Sequence, residues 1–172
     1  VERVSPEAPV PVLRVRETAT MPGGVGNVAR NLAALGVATE LVGVIGADDA
    51  GRELSALLAA EPRIAATPIE EPGRATTLKT RFLAGTQQLL RADAETVQPL
   101  AAPARARLLA AAREALARAD VLILSDYGKG VLLEGVAEAL IRLAGDQGKP
   151  VIVDPKGRDF RRYAGATLVT PN

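Results

Sequence analysis

The sequence holds 172 residues, 48% hydrophobic and 24% charged, with aromatics at only 2%. Its 21 basic and 20 acidic side chains nearly cancel, which argues against a general attraction to nucleic acid or to a membrane surface. It has no Cys and no His, so disulfides, thiolate nucleophiles, His-based triads and the usual Cys or His metal sites are excluded.

Core volume must therefore come from Leu, Val, Ile and Ala, which suits helices packed on a parallel sheet buried on both faces. Residues 10–15 alternate apolar and polar and read as an exposed strand. Pro9 and Pro11 cannot donate to a ladder, so this strand belongs at a sheet edge. Gly23 and Gly24 break the chain. Val25, Val28, Ala29, Leu32 and Ala33 then mark one face of a helix, with Gly36 at its C′ position. Residues 40–45 form a short apolar strand. Asp48 or Asp49 caps the next helix, which carries Leu54, Leu57 and Leu58.

Residues 65–69 read as another strand. Residues 76–83 and 87–92 alternate around Gly85-Thr86, a polar-faced hairpin. Pro103 opens a helix bearing Leu108, Leu109, Ala112 and Leu116. Residues 121–124 are a buried strand. Leu133, Val136, Ala137 and Leu140 mark a helix. Residues 151–153 and 167–170 are strands. Short apolar strands alternating with helices imply βαβ units and a parallel sheet. The polar strands near 8–20 and 76–92 fit that core poorly and read as a small separate sheet that covers something.

No buried strand precedes the first Gly-rich turn, and a strand at 167–170 would normally feed another helix. The 172 residues thus read as one incomplete domain. No apolar run approaches roughly 18 residues, and residues 1–4 lack the apolar stretch of a leader. A cytoplasmic protein is the default expectation.

Three loop segments invite chemistry. In Pro22-Gly-Gly-Val-Gly-Asn-Val-Ala29, adjacent glycines lead into a helix, where backbone can approach a ligand closely. Asn27 adds an amide suited to sugar hydroxyls. Gly24, Gly26 and Ala29 also match the G-x-G-x-x-A dinucleotide fingerprint. That fingerprint needs a buried strand running into its first Gly, and residues 16–22 are polar and hold Pro22. Nucleotide-cofactor binding of that kind is the less favoured alternative. Ser125-Asp-Tyr-Gly-Lys-Gly130 follows a parallel strand, where open α/β sheets bind ligands. Lys129 can reach a phosphate there as a point charge, and Asp126 can instead simply cap the next helix. Val153-Asp-Pro-Lys-Gly157 repeats the pattern, though Asp154 and Lys156 can also merely pair. On the hairpin, composition alone makes Arg81, Gln87, Gln88 and Arg91 a solvated face.

Taken together, these segments resemble the ribokinase/PfkB carbohydrate kinases. The run from Pro22-Gly-Gly-Val-Gly-Asn to Ala-Ala-Leu-Gly36 is similar to that family's N-terminal signature, and Leu41-Val-Gly-Val-Ile-Gly-Ala-Asp-Asp-Ala-Gly51 is similar to its continuation. Gln87-Gln-Leu-Leu-Arg91, Ser125-Asp-Tyr-Gly-Lys-Gly130, Asp154-Pro-Lys156 and Ala166-Thr-Leu-Val-Thr-Pro-Asn172 resemble one subfamily, the heptose 7-phosphate kinase domain of bifunctional ADP-heptose synthases.

The resemblance implies a three-layer α/β/α core with a mostly parallel sheet and a small β lid, here incomplete. It implies ATP-dependent phosphorylation of D-glycero-D-manno-heptose 7-phosphate at C1, for ADP-heptose and lipopolysaccharide core synthesis. It further implies Mg²⁺, a homodimer formed through the lid, and a fused adenylyltransferase domain. Gly23, Gly24, Asn27, Gln88, Arg91 and Lys129 would bind the sugar phosphate. Asn172, as the first residue of the family's Asn-x-x-Glu motif, would serve ATP with Asp154 and Lys156.

The family's catalytic Asp lies in a Gly-Ala-Gly-Asp turn that these residues do not contain. The expectation is that the stretch alone does not turn over. Other readings are a different PfkB-type sugar kinase, or a non-catalytic sugar-phosphate-binding or dimerisation module.

Overall fold

The computed structural model describes residues 3–172. Val1 and Glu2, the start of the stretch read for a leader, lie outside them. Strands β1 (Arg3–Val4) and β2 (Pro11–Val12) form a small antiparallel pair. The strand expected over 10–15 is thus two residues long, and residues 13–22 carry no strand. The buried strand that a dinucleotide fingerprint requires before Gly24 is absent there.

Helix α1 (Val25–Ala34) ends as its sequence predicts. Gly36 adopts φ 86° at C′, and the Val37 N–H reaches back to the Leu32 carbonyl at 3.0 Å, which closes the helix. Strand β3 (Thr39–Gly46) runs parallel to β4 (Ile64–Glu71), joined by helix α2 (Asp49–Ala59). Asp48 is the N-cap of α2, accepting from the Gly51 N–H at 2.8 Å.

Side chains alternate across β3, so its two faces bury different partners. Leu41 packs with Ala29, Leu58 and Ile64 under α1 and α2. Val42 and Val44 pack against the cluster that contains Leu108 and Leu116 of helix α3 (Ala102–Arg118). Helices on both faces of a parallel sheet make the three-layer α/β/α arrangement.

Strands β5 (Leu78–Ala84) and β6 (Gln87–Ala94) form the expected hairpin as a sheet of their own. Strands β7 (Leu122–Ser125), β8 (Val151–Asp154) and β9 (Leu168–Val169) form a second parallel sheet in that order. The parallel strands therefore lie in two sheets, and α3 packs against both β3 and helix α4 (Val136–Gly145), tying the halves together.

The core around α4 is dense: Val136, Ala137, Leu140, Ile141 and Ala144 are all buried. Burying each large aliphatic of this kind contributes about 1.5–3 kcal/mol. Leu133, expected on the helix, instead precedes it. Glu134 (φ 51°) and Gly135 (φ 80°) are both left-handed, which breaks the helical path before Val136.

Candidate functional site

The loop after β7 is shaped by one carboxylate. The Asp126 N–H bonds the Asp154 carbonyl at 2.9 Å and extends the β7–β8 ladder. Asp126 Oδ1 accepts from the Gly128 N–H at 2.6 Å, and Oδ2 accepts from the Tyr163 hydroxyl at 2.5 Å. Arg162 stands 3.7 Å from the same Oδ2. Asp126 does not cap α4, whose N-cap is Gly135. It is buried, and its bond from the Gly128 N–H fixes the turn at Gly128 (φ 67°) that leads into Lys129.

Glycine contacts bring the three sequence segments together. A Cβ on Gly24 would lie 3.6 Å from the Tyr127 ring, and one on Gly128 would lie 3.2 Å from Lys156 Cγ. The Gly-rich turn, the Asp126–Gly130 loop and the Lys156 loop therefore touch in sequence. Lys156 and Asn172 line one open hollow of about 470 Å³ with Pro155, Arg158 and Phe160. Asp154 is half-buried beside it and forms no ion pair with Lys156 among the described residues. Asn27 lies elsewhere. It lines a separate hollow of about 370 Å³ with Arg30, Glu61 and Arg63, while Gly23 is exposed with open space at its Cα.

The hairpin register explains how Gln88 and Arg91 share a face. Three residues apart on a regular strand, they would point to opposite sides. Arg91 pairs with Arg81 and Gln88 with Leu83, and a bulge between Phe82 and Leu83 absorbs the extra residue on β6. Arg81 and Leu83 share a face, so their partners do too. That polar face also carries Lys79 and Asp93. The opposite face presents Leu78, Phe82 and Leu90.

Ion pairs link the polar face to the core. Asp93 accepts from Arg91 Nε at 2.9 Å and from Lys79 Nζ at 2.6 Å. Glu95 meets Lys79 at 3.2 Å and Lys129 at 2.7 Å. Hydrogen bonds from Lys129 and Lys79 hold the Glu95 carboxyl below its ordinary range, and its carboxylate partners push Lys79 up. Arg91 and Lys129, singled out from sequence, thus join one network, whose other members sequence reasoning passed over. The alternation of Lys79 with Arg81 and of Arg91 with Asp93 was the available signal.

Arg74 was passed over as well. It is buried, pairs with buried Glu71, and donates to the carbonyls of Gln98 at 2.6 Å and Lys129 at 3.2 Å. It thereby clamps the hairpin's exit to the Lys129 loop. Burial raises the Glu71 carboxyl, but the bonds from Arg74 and the Ala101 N–H outweigh it and leave the group below its ordinary value.

Lys156, Arg158 and Asn172 are donors suited to nucleotide phosphates. No group of three or more acidic side chains among the described residues offers a cage for a metal ion. A Mg²⁺ ion carried mainly by nucleotide phosphates needs none.

A family model described as pfkB family carbohydrate kinase matches residues 1–172. Over its whole length the chain is 54% identical to a bifunctional protein HldE of Paramagnetospirillum magneticum and 53% identical to that of Rhodospirillum rubrum. It spans 35% of the length of each. Among solved structures it is similar to phosphofructokinase-2 from Escherichia coli in its tetrameric inhibited form, with TM-score 0.72 and 27% identity, covering 95% of this chain and 54% of that one. A possible 1-phosphofructokinase from Thermotoga maritima shares the fold, with TM-score 0.73 and 21% identity over 95% of this chain and 53% of that one.

Proposed function

The chain belongs to the pfkB family of carbohydrate kinases, and we propose that it forms the sugar-phosphate-binding part of an ATP-dependent heptose 7-phosphate kinase. The observation that carries the reading is the meeting of Gly24, Tyr127, Gly128 and Lys156 next in sequence to Lys129, which ion pairs through Glu95, Lys79 and Asp93 link to Arg91. A flexible glycine turn can lie against a sugar, while nearby cations hold a phosphate remote from the reacting carbon.

In this reading Gly23 and Gly24 contact the sugar, Asn27 stays in its separate hollow and takes no part, and Gln88, Arg91 and Lys129 hold the 7-phosphate. Lys156 and Asn172, with Asp154 beside them, face the ATP phosphates. The C1 hydroxyl oxygen forms a bond to the γ-phosphorus as the bond to the β,γ-bridging oxygen breaks, and ADP leaves. The hydroxyl proton goes to a base outside these residues. Phosphoryl transfer is mainly positioning and charge stabilisation, to which these side chains contribute at the sugar end. Mg²⁺ supplies neutralisation of the phosphate charge.

The product, the 1,7-bisphosphate, leads to ADP-heptose for lipopolysaccharide core synthesis, with an adenylyltransferase domain on the same polypeptide. The protein works in the cytoplasm as a homodimer joined through the apolar hairpin face of Leu78, Phe82 and Leu90.

The test is turnover by the full-length protein with ATP and Mg²⁺, offering heptose 7-phosphate, fructose 6-phosphate and fructose 1-phosphate in parallel. A new anomeric phosphate in ³¹P NMR with the heptose substrate is expected. Turnover of a fructose phosphate alone would replace this reading by another sugar kinase. Binding of heptose 7-phosphate without any ADP production would replace it by a non-catalytic module.

A further inference from the structure

We propose that Glu95 is an internal stand-in for the substrate phosphate, seated between Lys79 and Lys129, and that Lys79 is a further cation of that phosphate site. The proposal rests on the sugar-phosphate reading above and specifies what holds the phosphate.

Two ammonium groups from different parts of the fold converge on one carboxylate. Lys129 Nζ, from the loop after β7, lies 2.7 Å from Glu95 Oε1. Lys79 Nζ, from the hairpin, lies 3.2 Å from Oε2. Like charges gather this way only around an anion, because bare ammonium groups so close repel. The surface pairs Arg30–Glu61 and Arg118–Glu40 differ, each joining one guanidinium to one carboxylate.

The charge count favours exchange. Lys79, Lys129 and Arg91 carry three positive charges, against Asp93 and Glu95. If Glu95 swings out, two positive charges stand uncompensated, which matches the charge of about −1.5 to −2 on a phosphate monoester. A phosphate also offers more acceptor oxygens than a carboxylate, enough for both lysines and Arg91.

Only side chains need to move. The Lys129 carbonyl is held by Arg74, and so is the Thr96 carbonyl next to Glu95, at 3.4 Å. Thr96 Oγ1 accepts from the Ala75 N–H at 3.0 Å. The backbone on both sides of the ion pair is thus fixed. The Glu95 side chain is 26% exposed, follows the end of β6, and among the described residues bonds only the two lysines. It can rotate into water while the cations stay.

The experiment titrates the full-length protein calorimetrically with heptose 7-phosphate, with inorganic phosphate and with unphosphorylated heptose. Glu95→Gln should bind both phosphate ligands more tightly, on the order of ten-fold, because the internal competitor loses its charge. Lys79→Met should weaken both by a similar factor, Lys79→Arg should restore most of the affinity, and heptose binding should not change in any variant. Unfolding midpoints of the variants separate loss of fold from loss of binding. Unchanged or weaker phosphate binding by a folded Glu95→Gln protein overturns the stand-in. Undiminished binding by Lys79→Met removes Lys79 from the site. If the unaltered protein binds fructose 6-phosphate and not heptose 7-phosphate, the heptose reading fails, while inorganic phosphate still decides the role of Glu95.

Discussion

Tyr163 donates its hydroxyl proton to Asp126 at 2.5 Å, and both residues are buried. This bond joins the 3-10 turn at Arg161–Tyr163 to the loop that carries Lys129. Tyr163→Phe leaves the Asp126 carboxylate with the Gly128 N–H and a distant Arg162. The expected cost is about 1.5–3 kcal/mol, the range for bonds to charged groups, read from urea unfolding.

The same pair sets an alkaline limit. Burial first, and the Asp126 bond second, push the Tyr163 hydroxyl up to about 12 from its ordinary 10.0. A raised pKa means that the folded state holds the proton more tightly. Its stabilisation is complete below the ordinary value and is lost as pH climbs toward the folded one. Unfolding midpoints should fall through that window, and Tyr163→Phe should remove this part of the slope.

Arg74 and Glu71 form a buried ion pair at the end of β4. Arg74→Met strands the Glu71 carboxylate and several carbonyls without their donor. A loss of about 3–5 kcal/mol is expected, as for a buried pair broken from one side. Because the Glu71 carboxyl is held below its ordinary 4.5, its stabilisation is present above that pH and disappears as pH falls below it. Acid unfolding monitored by circular dichroism should start near that value, and Glu71→Gln should shallow the response. A flat acid profile in the unaltered protein would refute this.

Gly130 has φ 89°, and a Cβ there would run into the Gln98 carbonyl. Left-handed backbone and a backbone clash coincide. Gly130→Ala should therefore lose more than about 2 kcal/mol. By contrast, Gly148 has φ 65° with open space around it. Gly148→Ala should cost about 1 kcal/mol through backbone strain alone, so comparing the two melting temperatures separates clash from strain.

Local chemistry made much of this legible. The cap at Asp48, the C′ glycine at Gly36 and the hairpin around Gly85 each depend on residues close in sequence, and each formed as read. Helix α4 started late because Glu134 takes a positive φ, which no periodicity announces. The strand near residue 10 shrank to Pro11–Val12, where proline limits ladder donation. Of the site, Lys129 stood out as a cation after a strand end, whereas Arg91 read as part of a solvated face and entered only through the family resemblance. Lys79, Glu95 and Arg74 did not stand out, because their importance lies in contacts across 14 to 55 residues of chain. Only the folded hairpin brings those partners together.

The hairpin's other face supports the last prediction. Leu78 and Leu90 are exposed, Phe82 is partly so, and all three share the side away from Lys79 and Arg91. An exposed apolar sheet face of this kind can serve as an interaction surface, and a second copy of the same hairpin would cover it symmetrically. The full-length protein should then run as a dimer in light scattering, and Leu90→Glu should halve its mass. Because Leu90 points away from the cations, the Leu90→Glu monomer should still bind inorganic phosphate as the unaltered protein does. An unchanged mass in the Leu90→Glu protein would move the dimer interface off the hairpin. Lost phosphate binding in a folded monomer would mean instead that the partner's hairpin helps to build the site.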